Sequence, residues 1–431
     1  MTRRRAPFRP VRVLEVDLGA LPRNDRTPAP GHDGDVLCLV RVHTRPLGQM
    51  RLAAGPDGLT GERLAGAARH RFGAELADHL TAHGCATPSP GQDQGRPACL
   101  ATRDRLLADP PLVSVVIATR NRPDLLRRCL GSLRDLEYPR FEVVVVDNAA
   151  SVPADRVVAE AAGAGLDVRY VREPVAGLAR AHNRGVEEAR GEIVAFVDDD
   201  VAVDGQWLSE IAAAFLDVPG AGCVTGMILP AELETVAQDR LHLHWGMNKG
   251  FRRRIFDFAG NSEVGRLHPY TAGQLGSGAN MAFRVGALHG LGGFDVATGA
   301  GTRARGGDDL SAFFQVLAAG HRLVYEPAAI VHHSYHRDDR AVRRVAYGYG
   351  VGLGAYLAKT VIDEPGRVAD VVPRLPAGVL RGLQMRRASA PGGARCPRHL
   401  VALERLGMLC GPMSYLASRR AERRPLATTR P

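Results

Sequence analysis

Short apolar runs alternate with amphipathic stretches in the middle of the chain, between about residues 110 and 200. The apolar runs have the length of strands, and the stretches between them carry the 3.6-residue periodicity of helices. The run Val143–Val146 is apolar on both faces, as in a strand of a parallel sheet that helices cover on both sides. The pattern predicts a doubly wound α/β unit with strands at 112–118, 141–147, 167–171 and 192–197 and helices at 123–136, 153–162 and 177–190.

Polar residues directly follow three of the predicted strands. In an open α/β sheet, ligands bind beyond the carboxyl ends of the strands. The residues at these ends are therefore expected to share one rim of the sheet and to form a ligand site. They are Thr119, Arg120 and Asn121 after the first strand, Asp147 and Asn148 after the second, and Asp198, Asp199 and Asp200 after the fourth.

The acidic triplet Asp198–Asp200 is the strongest chemical signal in the sequence. Adjacent carboxylates at the end of a buried strand raise one another's pKa unless a cation lies between them. Mg²⁺ and Mn²⁺ take carboxylate oxygens and keep positions open for water and phosphate, so the triplet predicts a metal site and diphosphate chemistry. The alternative is that the carboxylates only favour the start of the next helix, although Asp204 already supplies a cap there.

Missing motifs and the composition of the chain argue against several other classes of protein. Neither G-x-G-x-x-G nor G-x-x-x-x-G-K-[ST] follows the first strand, which argues against a dinucleotide site and against a P-loop kinase. The net charge is +10, but the basic residues are almost all Arg, with Lys only at 249 and 359. No basic block is interleaved with regularly spaced aromatics, so we expect no nucleic-acid partner. The basic surface favours anionic substrates and anionic lipid instead.

The seven Cys residues are scattered and never form a C-x-x-C pair. This predicts reduced thiols in a cytoplasmic protein, with neither a zinc site nor a disulfide framework. No apolar run reaches the roughly 18–20 residues of a membrane span. The nearest candidate, 345–362, is rich in Gly and interrupted by Lys359, so we expect a helix that lies on the membrane or packs in the core. Peripheral contact at the inner face of the membrane therefore stays open.

The predicted organisation has three parts. Residues 1–100 form an α+β accessory domain with strands at 11–16 and 36–42, a helix at 65–81 and a Pro/Gly-rich linker at 85–97. Nothing in this part carries recognisable chemistry. Residues 110–340 form the α/β domain with the candidate site, and residues 341–431 form a helical extension with a flexible Arg/Pro-rich tail.

From about residue 113 to 333 the chain resembles the family 2 glycosyltransferases, which have the nucleotide-sugar-binding GT-A fold. The resemblance rests on short motifs in the family's order, each weak alone and strong together. They are VSVVIATRNR at 113–122, VVDN at 145–148, the helix at 177–185, DDD at 198–200, GSGANMAF at 276–283, LGGFD at 291–295 and GDDL at 307–310. No Q-x-x-R-W occurs, which argues against a processive membrane synthase.

The resemblance implies a donor site for a nucleoside-diphosphate sugar on the predicted rim. Thr119 and Asp147 would contact the base and the ribose. Mn²⁺ or Mg²⁺, held by the acidic triplet, would bind the diphosphate, and His333 is a candidate further ligand with a packing histidine as the alternative. The implied donor-site residues are Thr119, Arg120, Asn121, Asp147, Arg180, His182, Asn183, Asp198, Asp199, Ser277 and Asn280.

One donor-site position departs from the family pattern. His182 stands where the family commonly has Arg before the helix Asn, here Asn183. Recognition of the base could therefore fall to Arg180 instead.

The same resemblance places the acceptor side at Asp308 and Asp309. Asp309 would be the general base that takes the proton of an acceptor hydroxyl, with Asp308 beside it where the family usually has Glu. In-line attack would invert the anomeric centre. The alternative is that the pair only caps the helix predicted at 310–319.

The expected function is a metal-dependent, inverting, non-processive glycosyltransferase. Its acceptor, a glycan, a lipid-linked molecule or a small molecule, is left open, as is the oligomeric state. A sugar-1-phosphate nucleotidyltransferase and a non-catalytic nucleotide-sugar-binding protein are the alternatives.

Overall fold

The computed structural model describes residues 8–18, 34–53, 59, 61–86, 96–259, 265–374, 377 and 397–423. Most of the predicted linker at 85–97 and the predicted tail beyond residue 423 lie outside these ranges. The strands are β1 (Arg12–Asp17), β2 (Asp35–Val42), β3 (Arg45–Ala53), β4 (Val113–Thr119), β5 (Phe141–Asn148), β6 (Val168–Glu173), β7 (Ile193–Asp198), β8 (Val201–Val203), β9 (Ala221–Pro230), β10 (Arg254–Phe256), β11 (Asn280–Arg284) and β12 (Arg322–His333).

The helices lie in all three parts of the chain. They are α1 (Gly61–Arg71), α2 (Gly73–His83), α3 (Ala98–Leu106), α4 (Pro123–Leu133), α5 (Asp155–Gly163), α6 (Leu178–Glu188), α7 (Trp207–Asp217), α8 (Val236–Trp245), α9 (Val285–Gly290), α10 (Asp308–Ala318), α11 (Asp339–Asp363), α12 (Val368–Val371) and α13 (Arg398–Glu422). Short 3₁₀ helices lie at Ala272–Gln274, Pro365–Arg367 and Val372–Arg374.

A nine-stranded sheet in the order β10-β12-β9-β11-β7-β4-β5-β6 forms the centre of the molecule, and β8 pairs with β12 off this path. β7, β4, β5 and β6 are parallel neighbours, and β9 and β12 are parallel as well. Within the described part of the chain, only β8, β10 and β11 of this sheet run in the other direction. The predicted α/β class with a mostly parallel sheet is confirmed.

The apolar run in β5 contributes to two hydrophobic cores, one on each face of the sheet. Val143 and Val145 pack in one core with α4, whereas Val144 and Val146 pack in the other with α6. Side chains alternate between the two faces of a strand, so four consecutive valines are all buried only when both faces are covered. The helices on both sides of the sheet therefore follow from the sequence pattern.

Strand β11 enters the sheet antiparallel between β7 and β9, which the strand-helix alternation did not predict. Its first residue, Asn280, lies opposite Val197, next to the acidic triplet. Gly276, just ahead of β11, lies so close to Thr225 of β9 that a Cβ would overlap the threonine side chain. The small residues at 276–278 thus let this segment reach the rim that carries the triplet.

The N-terminal strands form a separate three-stranded sheet, which packs with α1 around a core of its own. Polar and apolar contacts join this unit to the main sheet. Arg41 of β2 donates two hydrogen bonds to Asp204, at 2.6 and 3.2 Å. Leu39 packs with Met227 and Ile330 of the main sheet. The accessory unit is therefore held against the α/β domain by an ion pair and by side-chain packing.

Helices α11 and α13 cross at close range because glycines lie where they meet. A Cβ at Gly411 would lie 2.6 Å from the backbone N of Ala355, and one at Gly407 would lie 2.9 Å from the backbone N of Val351. These distances leave no room for a side chain. Of the two placements expected for 345–362, the structure shows packing against another helix. No described helix is both long and apolar enough to cross a membrane.

Candidate active site

The acidic triplet lies beside His333 because β8 pairs with the end of β12. β7 ends at Asp198, the chain turns, and Val201 of β8 lies opposite His333. His333 Nε2 is 3.2 Å from Asp200 Oδ1 and 3.9 Å from Asp198 Oδ2. The fold thus brings two residues of the triplet together with a histidine that is distant in sequence.

Asp198, Asp200 and His333 form a group that fits a divalent cation. One ligand atom from each lies within 4.8 Å of the others. Asp200 Oδ1 is buried and has no hydrogen-bond partner in the described residues. A buried acceptor without a partner costs free energy of folding, which a metal ion at this oxygen would offset. Two carboxylates and an imidazole are a donor set that Mn²⁺ accepts, and the carboxylates also suit Mg²⁺.

Asp199, the third carboxylate of the predicted metal site, lies outside this group, and its role as a metal ligand stays a prediction. The Thr119 hydroxyl donates to Asp199 Oδ2 at 2.8 Å, and Arg122 Nη1 donates to Asp199 Oδ1 at 3.1 Å. Both oxygens of the buried carboxylate therefore have partners at the end of β4, as burial of a charge requires. At this rim, the described side chains that lie close enough together to share a metal ion are those of Asp198, Asp200 and His333.

Burial and mutual repulsion control the ionisation of the triplet. Burial raises the pKa of Asp198, and the nearby carboxylates of Asp200, Asp199 and Asp308 raise this pKa further. Burial also raises the pKa of Asp199, and the Arg122 guanidinium acts against this rise. Arg122 donates to Asp200 as well, at 3.1 Å, so one guanidinium links two of the carboxylates. A bound divalent cation would add the positive charge that favours ionisation of all three.

Asp147 presents an unused carboxylate oxygen at the end of β5. Its Oδ2 accepts hydrogen bonds from the Ala154 N–H at 2.9 Å and from the Tyr170 hydroxyl at 2.8 Å. Its Oδ1 is buried, and the described part of the chain offers it no hydrogen-bond partner. A carboxylate that is fixed through one oxygen and open at the other is suited to accept a hydrogen bond from a ligand.

Asn121 ties together the loops that follow β4 and β5. It has a φ of 57°, in the left-handed region that Asn tolerates. Its Oδ1 accepts from the N–H groups of Ser151 and Val152, both at 2.9 Å. Arg120 beside it is exposed at the rim. Contact of Arg120 or Asn121 with a donor stays a prediction.

Asn183 and Asn280, two of the three asparagines predicted for the donor site, have partners inside the protein. Asn183 Nδ2 donates to the Phe294 carbonyl and its Oδ1 accepts from the Phe294 N–H, both at 2.8 Å. The buried Asn280 donates to Ala329 O at 2.9 Å and to a carbonyl oxygen of β9 at 3.0 Å, and accepts from Trp207 Nε1 at 2.9 Å. These bonds fix the loop at 291–295 and the start of β11. Direct contact of either asparagine with a donor stays untested.

Arg180 lies in α6, and Ser277 lies in the segment before β11. The Arg180 guanidinium forms an ion pair with Glu422, so the end of α13 reaches α6. Ser277 is half-buried, and its carbonyl oxygen accepts from the Asn280 N–H at 3.1 Å. Donor binding by either residue also stays a prediction.

Asp308 is a buried carboxyl group that faces a buried histidine. Its Oδ2 lies 3.7 Å from Nδ1 of His182. Burial raises the pKa of Asp308 to about 7, and the charge of Asp309 adds to the rise. Burial lowers the pKa of His182 to about 3, so this imidazole is neutral near pH 7. The His182 ring packs against Phe196 and Phe294, with centroids 4.9 and 5.1 Å away, and contributes an apolar wall where an Arg would bring a charge.

The raised pKa of Asp308 predicts a pH-dependent stability difference for Asp308→Asn. Below the ordinary Asp pKa both states carry a proton, but as pH rises towards 7 the unfolded state loses its proton first and the folded state loses stability. Asn cannot ionise. Between pH 5 and 8, without added divalent cation, the unfolding free energy of the variant should therefore gain roughly 2 kcal/mol on that of the parent.

Denaturant unfolding of both proteins across this pH range measures the difference. Asp109→Asn is the matched control, because Asp109 is exposed before β4, at the opposite end of that strand from the rim. The unfolding free energy of this control should not change relative to that of the parent between pH 5 and 8. If the unfolding free energies of Asp308→Asn and the parent differed by the same amount at all pH values, the raised pKa of Asp308 would be contradicted.

Asp309 is the more accessible carboxylate of the pair. Its Oδ2 accepts from the Gly278 N–H at 2.9 Å, and its Oδ1 accepts from the Leu310 N–H at 2.8 Å. Burial raises the pKa of Asp309, while these N–H groups and the charge of Lys249 lower it. A half-buried carboxylate with a raised pKa, held at a helix start, has the properties of a general base.

Sequence reasoning did not single out Arg122 or Lys249. Arg122 directly follows the predicted rim residues in sequence, and this position could have identified it as a candidate site residue. Lys249 is one of two lysines in a chain with 56 basic residues, and both lysines lie beside carboxylates.

A comparison with known protein families finds a match in the middle of the chain. Residues 114–288 match the family model for glycosyl transferase family 2. The matched segment includes Asp147 and the acidic triplet, and it ends before Asp308 and His333.

Two curated relatives are similar over half of the chain or more. The pre-mycofactocin glycosyltransferase of Mycobacterium tuberculosis is 29% identical over 263 residues, which are 60% of this chain and 50% of that protein. The succinoglycan biosynthesis protein ExoM of Rhizobium meliloti is 27% identical over 227 residues, 51% of this chain and 66% of that protein. The chain thus spans about half the length of the first of these relatives.

Among solved structures, the mannosyltransferase PcManGT from Pyrobaculum calidifontis, in complex with GDP-Man and Mn²⁺, matches with a TM-score of 0.44 and 19% identity. The match covers 76% of this chain and 82% of that one. The segment at residues 114–288 therefore belongs to glycosyl transferase family 2.

Proposed function

We propose that the chain transfers a single sugar from a nucleoside-diphosphate sugar to a hydroxyl acceptor, with Mn²⁺ or Mg²⁺ and with inversion of the anomeric carbon. The observation that carries the proposal is the meeting of two acidic groups at one rim. One is the group of Asp198, Asp200 and His333, and the other is the Asp308–Asp309 pair at the start of α10. The two interact electrostatically, because the charge of Asp308 helps to raise the pKa of Asp198.

On the donor side, each described group has a distinct task. Asp198, Asp200 and His333 would hold the cation, whose charge would neutralise the departing diphosphate. Asp147 Oδ1 would accept a hydrogen bond from the nucleoside. The Arg122 side chain is 43% exposed, so its guanidinium can hold Asp199 and also reach a phosphate oxygen on its open side.

On the acceptor side, Asp309 would accept the hydroxyl proton as the oxygen attacks the sugar. Its two backbone hydrogen bonds keep the carboxylate in place, and Lys249 favours its ionised form. A sugar nucleotide already has a good leaving group, so alignment and removal of one proton are the main remaining needs. Direct displacement requires no covalent intermediate on the protein and inverts the anomeric carbon.

The acceptor class is not narrowed by the relatives, because one is named for pre-mycofactocin and the other for succinoglycan biosynthesis. Peripheral membrane contact stays a prediction. It is supported by exposed apolar side chains on α13, where Leu409 is 75% and Met413 is 66% exposed.

Thermal unfolding of the full chain with a panel of sugar nucleotides, with and without Mn²⁺, tests the donor site. A ligand at 100 times its Kd should stabilise the folded state by about 2.7 kcal/mol. We expect a rise for one nucleoside base, larger with Mn²⁺ than without it. If no sugar nucleotide raises the unfolding temperature of the folded protein under either condition, the proposed donor site is wrong.

A further inference from the structure

A second group of side chains able to bind a metal lies at the N-terminal unit and shares no residue with the group on the rim. It consists of His43 in the turn between β2 and β3, His79 in α2, Cys85 just after α2, and Cys99 in the first turn of α3. One ligand atom from each residue lies within 4.8 Å of the other three. The scattered cysteines predicted no such site, because two of its ligands are histidines and the fold alone brings the four together.

The distances within this group match the edges of a tetrahedron around zinc. His79 Nε2 is 3.3 Å from His43 Nδ1, and Cys99 Sγ is 3.4 Å from the same nitrogen. Zinc bonds of ordinary length would place two nitrogens about 3.3 Å apart and a nitrogen and a sulfur about 3.5 Å apart. The ligand atoms of His43, His79 and Cys99 therefore need little movement to close around an ion, and that of Cys85 lies within 4.8 Å of each of them.

Local structure fixes His43 independently of any metal. His43 and Thr44 have φ values of 50° and 69°, which non-glycine residues rarely adopt. The carboxylate of Asp17 accepts from both N–H groups, at 3.2 and 2.9 Å, and so holds the turn in this conformation. The imidazole is thereby directed towards α2 and α3.

The other ligands are also held by the fold. α2 ends at His83, and the φ of 61° at the following Gly84 turns the chain so that Cys85 lies back against the histidines. Cys99 belongs to α3, which is anchored on the α/β domain through the buried ion pair between Arg103 and Glu210 at 3.1 Å. The group therefore joins α2 of the accessory unit to a helix that is fixed on the neighbouring domain.

The charges of the ligands suit a divalent cation. Binding of Zn²⁺ would release the protons of Cys85 and Cys99 to solvent, and the two thiolates would balance the charge of the ion.

We propose that His43, His79, Cys85 and Cys99 form a structural zinc site that fixes α2 and α3 against the turn between β2 and β3. Four protein ligands complete the tetrahedral shell and leave no position for substrate, which distinguishes the site from the group on the rim. Mixed nitrogen and thiolate ligands select zinc over Mg²⁺.

The metal content of the full chain, purified under reducing conditions without chelator, tests the proposal. Elemental analysis should find about one zinc per chain in the parent, as the four-ligand site requires. Cys99→Ser and His79→Ala should each lower the zinc content at least tenfold. Asp200→Asn should keep the zinc, because it removes a ligand only from the rim. Cys410→Ser and the exposed His70→Ala are matched controls and should also keep it.

Cobalt substitution of the parent provides a test that does not depend on the folding of any variant. Co²⁺ bound by Cys85 and Cys99 should give a tetrahedral visible spectrum and a thiolate-to-cobalt charge-transfer band in the near ultraviolet. Absence of that band would overturn the proposal, as would equal zinc content in the parent and the Cys99→Ser variant. A Cys85–Cys99 disulfide found by peptide mass spectrometry in freshly isolated protein would overturn it too.

Discussion

Replacement of Asp309 by Asn should lower the turnover number by about a hundredfold or more while donor affinity stays within a few-fold of the parent. Asn keeps the shape of the side chain and can still accept the N–H of Gly278. It cannot accept a proton from the acceptor hydroxyl. Steady-state kinetics with a competent acceptor, together with calorimetric titration of the sugar nucleotide, measure the two quantities separately.

Asp109→Asn is the control for this loss, since the Asp109 side chain is 97% exposed far from the rim. It should turn over like the parent. If Asp309→Asn also keeps the parent rate, then Asp309 is not the base. If the parent binds a donor but shows no transfer to any acceptor, the chain is a nucleotide-sugar-binding protein without catalytic function.

Replacement of Asp200 by Asn should remove most of the metal dependence of donor binding. Asp200 supplies the buried Oδ1 that lies beside His333 and lacks a hydrogen-bond partner among the described residues. An amide is a much weaker ligand for Mn²⁺ than a carboxylate. We expect the Kd for Mn²⁺ in the presence of nucleoside diphosphate to rise at least tenfold and turnover to fall about a hundredfold.

The Asp199→Asn variant is the comparison for this experiment, because it changes a carboxylate of the same triplet that lies outside the metal-binding group. Asp199 is bonded to Thr119 and Arg122, so its replacement should lower stability more than it lowers metal affinity. Metal titration and thermal unfolding of both variants measure the two effects. Weaker Mn²⁺ binding in Asp199→Asn than in Asp200→Asn would contradict the assignment of Asp200 and His333 as ligands.

The parallel half of the sheet could be predicted because its signals are local. Four valines in a row require cover on both faces, and polar residues directly after such strands share one rim. This reasoning placed Asp147 and the acidic triplet on the same edge, where the structure has them. β11 could not be found in this way, because the partners that make it a strand, β7 and β9, are distant in sequence.

The individual roles of site residues depend on side-chain direction, which sequence spacing does not give. The triplet reads as three equivalent carboxylates, yet the turn after β7 sends Asp199 to Thr119 and leaves Asp198 and Asp200 near His333. The group of His43, His79, Cys85 and Cys99 could not be predicted from the sequence for a related reason. Its ligands come from a hairpin turn and two helices, so no single spacing motif could reveal it.

The close crossing of α11 and α13 extends to the turn that presents the base. Gly307, just before Asp308, has a φ of 88°, and a Cβ there would lie 2.5 Å from the carbonyl oxygen of Gly352 in α11. The backbone of α11 therefore packs directly against the residue that precedes α10 and limits its position. Any residue other than glycine at position 307 would therefore both strain this turn and displace α11, so the C-terminal region constrains the backbone directly before Asp308.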